Sequence, residues 1–86
     1  MPEISRFSGI VIAMYHNDHA PPHFHAYHAS DEAKFHIRTG ECLWGSLPPA
    51  ARRLVLKWAD LHRDELLANW CLAESEQPLN RIDPLE

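Results

Sequence analysis

The densest run of residues able to do chemistry is His16-Asn17-Asp18-His19-Ala20-Pro21-Pro22-His23-Phe24-His25. Paired prolines fix φ and force a turn, so the residues before it come back beside those after it. If the return segment 23–29 is extended, His23, His25 and Tyr27 share one face while Phe24, Ala26 and His28 take the other. His19, in the turn, is placed to join the first two. Imidazole suits zinc, nickel and iron, and three convergent histidines with an open fourth position are the arrangement of a catalytic metal site. On that reading His19, His23 and His25 are ligands, and Asp18 is a ligand or orients one. Imidazole also moves protons near neutral pH, so His23 and His25 equally suit metal-free acid–base chemistry. A third reading is structural: the rings brace the hairpin by hydrogen-bonding backbone groups. His16, His28 and His36 are expected to face solvent.

Two further sets lie downstream. His62, Glu65 and Asn69 fall within an apolar stripe beside Trp58. Buried polar groups need partners or cost roughly 1–3 kcal/mol each, so these three form either a structural network or an extension of the histidine site. In the second case His62 completes a catalytic set with His23 and His25, and Glu65 and Asn69 orient it from behind. Arg52, Arg53 and Lys57 crowd what reads as a helix start, where positive charge opposes the macrodipole. They are candidate binding residues for a phosphate or for an acidic partner surface.

The elements that must position these residues follow from pattern. Residues 7–16, FSGIVIAMYH, read as a first strand bounded by Asn17-Asp18 and Pro21-Pro22, and HFHAYHA (23–29) as its return. AKFHIR (33–38) alternates Ala33, Phe35 and Ile37 against Lys34, His36 and Arg38, a half-buried strand. A short fourth strand, Cys42 to Gly45, follows the Thr39-Gly40-Glu41 turn. After Pro48-Pro49 the apolar spacing predicts one long helix over 49–73, with Ala51, Leu54, Val55, Trp58, Leu61, Leu66, Trp70 and Ala73 on one face. Leu56 and Leu67 lie outside that stripe and need cover from the tail or a partner. Residues 76–86, held by Pro78 and Pro84, read as an extended tail docking through Leu79, Ile82 and Leu85. The expected fold is α+β: an antiparallel sheet of three or four strands, a histidine-rich meander over 7–45, packed against one long C-terminal helix.

The 86 residues make one domain, 1–86, small enough that it buries only about 60–65% of its unfolded surface and gains from a partner or homo-oligomer interface. A net charge of −4 disfavours non-specific DNA binding, which requires several phosphates to be neutralised. Residues 1–40 hold six of the seven histidines, so this half gains positive charge near pH 6. Cys42 and Cys71 have no CxxC spacing and read as reduced packing residues. No apolar run approaches the length of a membrane span, and the N-terminus lacks the layout of a signal peptide. The expectation is a cytoplasmic protein.

Taken together, MPEISRF and GIVI at the start, Asp18-His19 with Pro21-Pro22-His23-Phe24-His25, the helical positions Trp58, His62, Glu65, Leu66, Asn69 and Trp70, and Pro78-Leu79, Ile82 and Pro84-Leu85 in the tail resemble the bacterial family of unknown function DUF4160. The resemblance covers nearly the whole chain; His16, His28 and His36 are additions to its pattern. It carries no established activity. Members are often encoded beside another small protein, in an arrangement similar to a toxin–antitoxin pair, which implies a protein partner from a neighbouring gene. A looser analogy with small toxin ribonucleases implies RNA as a substrate or contact. On that view His23, His25 and His62 would do the acid–base work and Arg52, Arg53 or Lys57 would hold a phosphate.

Overall fold

The computed structural model describes residues 2–86; Met1, the first residue of the expected 1–86 unit, lies outside the described residues. Five strands form one antiparallel sheet in sequence order: β1 (Glu3–Phe7), β2 (Ile10–Ala13), β3 (His23–His28), β4 (Asp31–His36) and β5 (Cys42–Gly45). Two helices follow, α1 (Pro49–Leu61) and α2 (Arg63–Glu74). The α+β class and the antiparallel sheet are as expected, but the strand and helix counts are corrected in two places.

The first correction lies inside the segment read as one strand, 7–16. Ser8 and Gly9 both have positive φ, 51° and 76°, and Phe7 pairs with Ile10 across them. This two-residue turn has the handedness that matches strand twist, so a hairpin forms where alternation alone suggested continuity. The second concerns the helix. Its ladder breaks at His62 (φ −120°, ψ 26°), whose N–H is shared between the carbonyls of Trp58 at 3.1 Å and Ala59 at 3.2 Å. The His62 ring reaches forward to Glu65, and Arg63 donates to the Ile37 carbonyl at 3.2 Å and to Asp60 at 2.9 Å. These contacts hold an offset between the two halves. The offset turns Leu61, expected on the apolar face, out to 66% exposure.

The core lies between one sheet face and the helices. Ile4, Phe7, Ile10, Ile12, Phe24, Ala26 and Phe35 meet Ala51, Val55, Trp58, Leu66 and Ala73. Trp58 is the hub: its ring lies 5.6 Å from that of Phe7 and 5.9 Å from that of Phe24, and its indole N–H donates to the Asp83 carbonyl at 2.8 Å. The tail after α2 has no regular secondary structure but is docked. Ile82 donates to the Ile4 carbonyl at 2.8 Å and is buried, while Leu79 and Leu85 pack on the core's edge. Asn69, 1% exposed, donates to the Asn80 carbonyl at 2.8 Å and accepts the Asn80 N–H at 2.9 Å. Its polarity is spent on clamping the tail. Leu56 and Leu67 also rest against the core. Among the described residues, no helix is long and apolar enough to cross a membrane.

Two glycines separate backbone strain from close approach. Gly9 (φ +76°) has open space where a Cβ would go, whereas a Cβ at Gly45 (φ +74°) would run into the Glu32 carbonyl of β4. Gly9→Ala should cost about 1–2 kcal/mol, the penalty of the left-handed region. Gly45→Ala should cost more, since it must also part β5 from β4; urea unfolding of the two variants side by side checks the order.

Candidate metal centre

β3 is the central strand and both its faces are covered. Phe24 and Ala26 enter the helix-side core, so strand alternation sends His23, His25 and Tyr27 to the opposite face. The loop between β2 and β3 folds over that face. It is tied down where the Asn17 N–H donates to the Ala73 carbonyl at 3.3 Å and His16 Nε2 meets the Gln77 carbonyl at 2.9 Å. On the far side of the Pro21-Pro22 turn, the Ile37 N–H donates to the Pro22 carbonyl at 3.0 Å. Anchored at both ends, the loop holds Asp18 over His23 and His25.

The Asp18 carboxylate divides its work. Oδ1 accepts the His19 N–H at 2.9 Å, while Oδ2 lies 3.0 Å from His23 Nε2 and 3.1 Å from His25 Nε2. The opposite ring nitrogens are also engaged. His23 Nδ1 donates to the Pro21 carbonyl at 2.8 Å, and His25 Nδ1 faces Glu32 Oε2 at 3.5 Å. The two imidazoles are nearly buried, with ring centroids 5.4 Å apart; Trp70 packs 5.2 Å from His23 and Tyr15 meets His25 edge-on at 4.6 Å. Burial opposes the ionisation of Asp18. When the two rings carry an added proton, the His25 ring, the His19 N–H and the charges of the two histidines outweigh it and hold the carboxyl below its ordinary value.

Asp18, His23 and His25 thus converge, with one ligand atom from each within 4.8 Å of the others. His19 does not bring its ring into that cluster but lines the same cleft with Asp18, Pro21, His23, Lys34 and Trp44. His62 packs on Trp58, on the helix side of the sheet, and pairs with Glu65. Asn69 is engaged with the tail. Arg52 and Arg53 line a separate groove with Leu47, Pro49 and Leu56, and Lys57 lines another with Gly40 and Asp60. Of the additional histidines, His16 is exposed, His36 Nδ1 accepts the Arg38 N–H at 3.1 Å, and the buried Nδ1 of His28 has no partner among the described residues.

Sequence reading placed Tyr27 on the histidine face but passed over three other neighbours of the centre: Tyr15, Glu32 and Trp44. Cross-strand register brings them in, and no local motif marks them. Alternation did place Lys34 outward, but only the pairing of His25 with Lys34 and of Lys34 with Trp44 shows that outward here means the histidine face.

The proline turn, the histidine strand and most of the helical region fall within residues 9–71, which match the family model "Domain of unknown function (DUF4160)". The chain belongs to the DUF4160 family. No curated protein and no solved structure gives a match. In this DUF4160 chain the matched stretch includes all three residues of the converging cluster, whereas β1 and the tail flank it.

Beside the cluster, the hydroxyls of Tyr15 and Tyr27 meet at 2.6 Å. Burial, then the Tyr15 hydroxyl, then the nearby Glu32 carboxylate push the Tyr27 phenol well above its ordinary value. A raised folded-state value means that Tyr27 supports folding below the unfolded phenol value of about 10 and loses that contribution as pH rises past it. Tyr15→Phe should remove one cause, so Tyr27 ionises at lower pH in an absorbance titration at 295 nm. The same variant should lose about 1 kcal/mol of stability at neutral pH.

Proposed function

We propose that this DUF4160 protein binds one divalent transition-metal ion, zinc, nickel or iron, through Asp18, His23 and His25, with the ion's remaining positions open to the cleft lined by His19, Lys34 and Trp44. The observation that carries the reading is the direction of the ring nitrogens. Pro21 offers His23 Nδ1 only a carbonyl, so that nitrogen must hold a proton. His25 Nδ1 faces the Glu32 carboxylate at 3.5 Å, a longer contact, and with its proton there Nε2 is left as the lone pair. In a neutral ring the other nitrogen is then a lone pair, and both lone pairs point at an oxygen that is itself an acceptor. Three acceptors aimed at one another repel unless something positive sits among them.

Two extra protons would serve, but they would leave two nearly buried imidazolium rings sharing a single carboxylate, a costly excess of positive charge. One divalent ion uses all three lone pairs. A second contact that fixes the tautomer, from a carbonyl or carboxylate, is the usual support of a metal-bound histidine. The separations of 3.0 and 3.1 Å between Asp18 and the two rings lie near the ligand–ligand spacing of roughly 3.3 Å implied by bonds of about 2.0–2.1 Å in a tetrahedral site. Two histidines and one carboxylate also suit iron or nickel when positions are left open. Acid–base catalysis without metal fits less well, because every nitrogen of His23 and His25 is already turned onto an acceptor. Bound here, a divalent ion would supply Lewis acidity and lower the pKa of a water in the cleft.

The untagged chain, purified without chelator, should take up close to one equivalent of metal by elemental analysis and titration calorimetry. Metal at a hundred times its Kd should stabilise the fold by about 2.7 kcal/mol. Asp18→Asn, which keeps the shape of the site, should weaken binding at least as much as the roughly 10–100-fold seen when a ligand's supporting partner is lost. Failure of the wild-type chain to bind any of the three metals, or undiminished binding by a His23→Ala/His25→Ala double variant, overturns the reading.

A further inference from the structure

One rung of the sheet runs Ala13, His25, Lys34, Trp44 across β2, β3, β4 and β5, and the registers put the four side chains on the same face. Two of these side chains, those of Lys34 and Trp44, lie outside the hydrophobic core. Trp44 is 55% exposed on the edge strand, the most exposed of the three tryptophans; Trp58 and Trp70 are buried. The Lys34 ammonium lies 5.4 Å from the centroid of the Trp44 ring, and among the described residues it makes no ion pair. Its neighbours' carboxylates are spent elsewhere, Asp18 on His23 and His25, and Glu32 toward His25. Lys34 and Trp44 share with Asp18, His19 and His23 a cavity of about 230 Å³.

We propose that this cleft binds a nucleotide phosphate, with the phosphate between Lys34 and the Asp18–His23–His25 centre and the base stacked on Trp44. The phosphate half of the inference rests on the metal reading above, since the bound ion and the ammonium together would flank one anionic group. The stacking half rests on Trp44 alone. An indole at a sheet edge has no further strand beyond it, so a planar base can lie against it without displacing protein. Aromatic stacking beside a cation is how single nucleotides are held with little sequence preference. The charge balance sets the scale of the ligand. A chain of net charge −4 with a single lysine in the cleft neutralises one phosphate, not a run of them. The grip is on one nucleotide, whether free or part of a single strand.

The test titrates adenosine monophosphate, and separately a short single-stranded oligoadenylate RNA, into zinc-loaded untagged protein, with calorimetry and tryptophan emission as readouts and metal content measured on the same samples. Mononucleotide binding is expected to quench the exposed tryptophan and to compete with inorganic phosphate. Trp44→Ala and Lys34→Ala should each weaken it by roughly tenfold or more while keeping their metal. Equal affinity of mononucleotide and oligonucleotide assigns the site to a free nucleotide; markedly tighter oligonucleotide binding assigns it to a strand. Protein that loads metal but shows no nucleotide binding, or binding that both variants retain, overturns the proposal and leaves the metal reading standing. If no metal loads, the metal reading fails by itself; nucleotide binding that still depends on both Trp44 and Lys34 then upholds the cleft, and its loss overturns that too.

Discussion

The histidine face of the sheet is organised around one carboxylate oxygen. Asp18 Oδ2 lies within hydrogen-bond reach of two imidazoles that alternate with core residues along the central strand. Buried polar groups are tolerated only when satisfied, and a partly satisfied network is more costly than an apolar core. His23 and His25 can therefore be buried only if the β2–β3 loop closes over them. The loop closes only because its two ends are tied to the Ala73 and Gln77 carbonyls and to the Ile37 N–H. Helix, tail and sheet thus share in holding one acidic side chain in place, an arrangement that exceeds what bracing a hairpin requires.

The same strand links this polar face to the apolar one. Phe24, between the two histidines, lies against Trp58, and Trp58 in turn donates to the tail at Asp83. A domain of this size has few layers with which to insulate a site from its core. Displacement of Phe24 moves His23 and His25 with it, because they are its chain neighbours on a rigid extended backbone. The tail clamp by Asn69 belongs to the same logic: it closes the far side of the core with two hydrogen bonds in place of side-chain volume.

Much of this was legible in the chain. The period-2 placement of His23 and His25, the proline turn that returns Asp18 to them, the extent of β5 and the anchoring role of Ile82 all follow from local pattern and from residues whose chemistry is narrow. What escaped local reading has two physical origins. Ser8-Gly9 and His62 are backbone events of one or two residues inside otherwise periodic stretches, and periodicity averages over them. Lys34 and Trp44 reach the histidines only through cross-strand register, His25 facing Lys34 and Lys34 facing Trp44, and that register is a property of the assembled sheet. A lysine in a half-buried strand and a tryptophan in a short edge strand look ordinary until the rung that joins them is known.

That rung also explains why the site sits toward the β5 side of the sheet. On the β2 side, His25 is closed in by Tyr15, whose hydroxyl is locked to Tyr27, and by buried Ala13. On the β4 and β5 side, the cleft is lined by Lys34, Leu43 and the exposed ring of Trp44. If the cleft takes the ligand proposed above, its path from the edge meets the planar ring of Trp44 first, the Lys34 ammonium next and the Asp18–His23–His25 cluster last. The order matters chemically: the least specific contact is the outermost and the most directional the innermost. On that reading the edge strand β5, which a sheet ordinarily has to shield, would serve as the entrance.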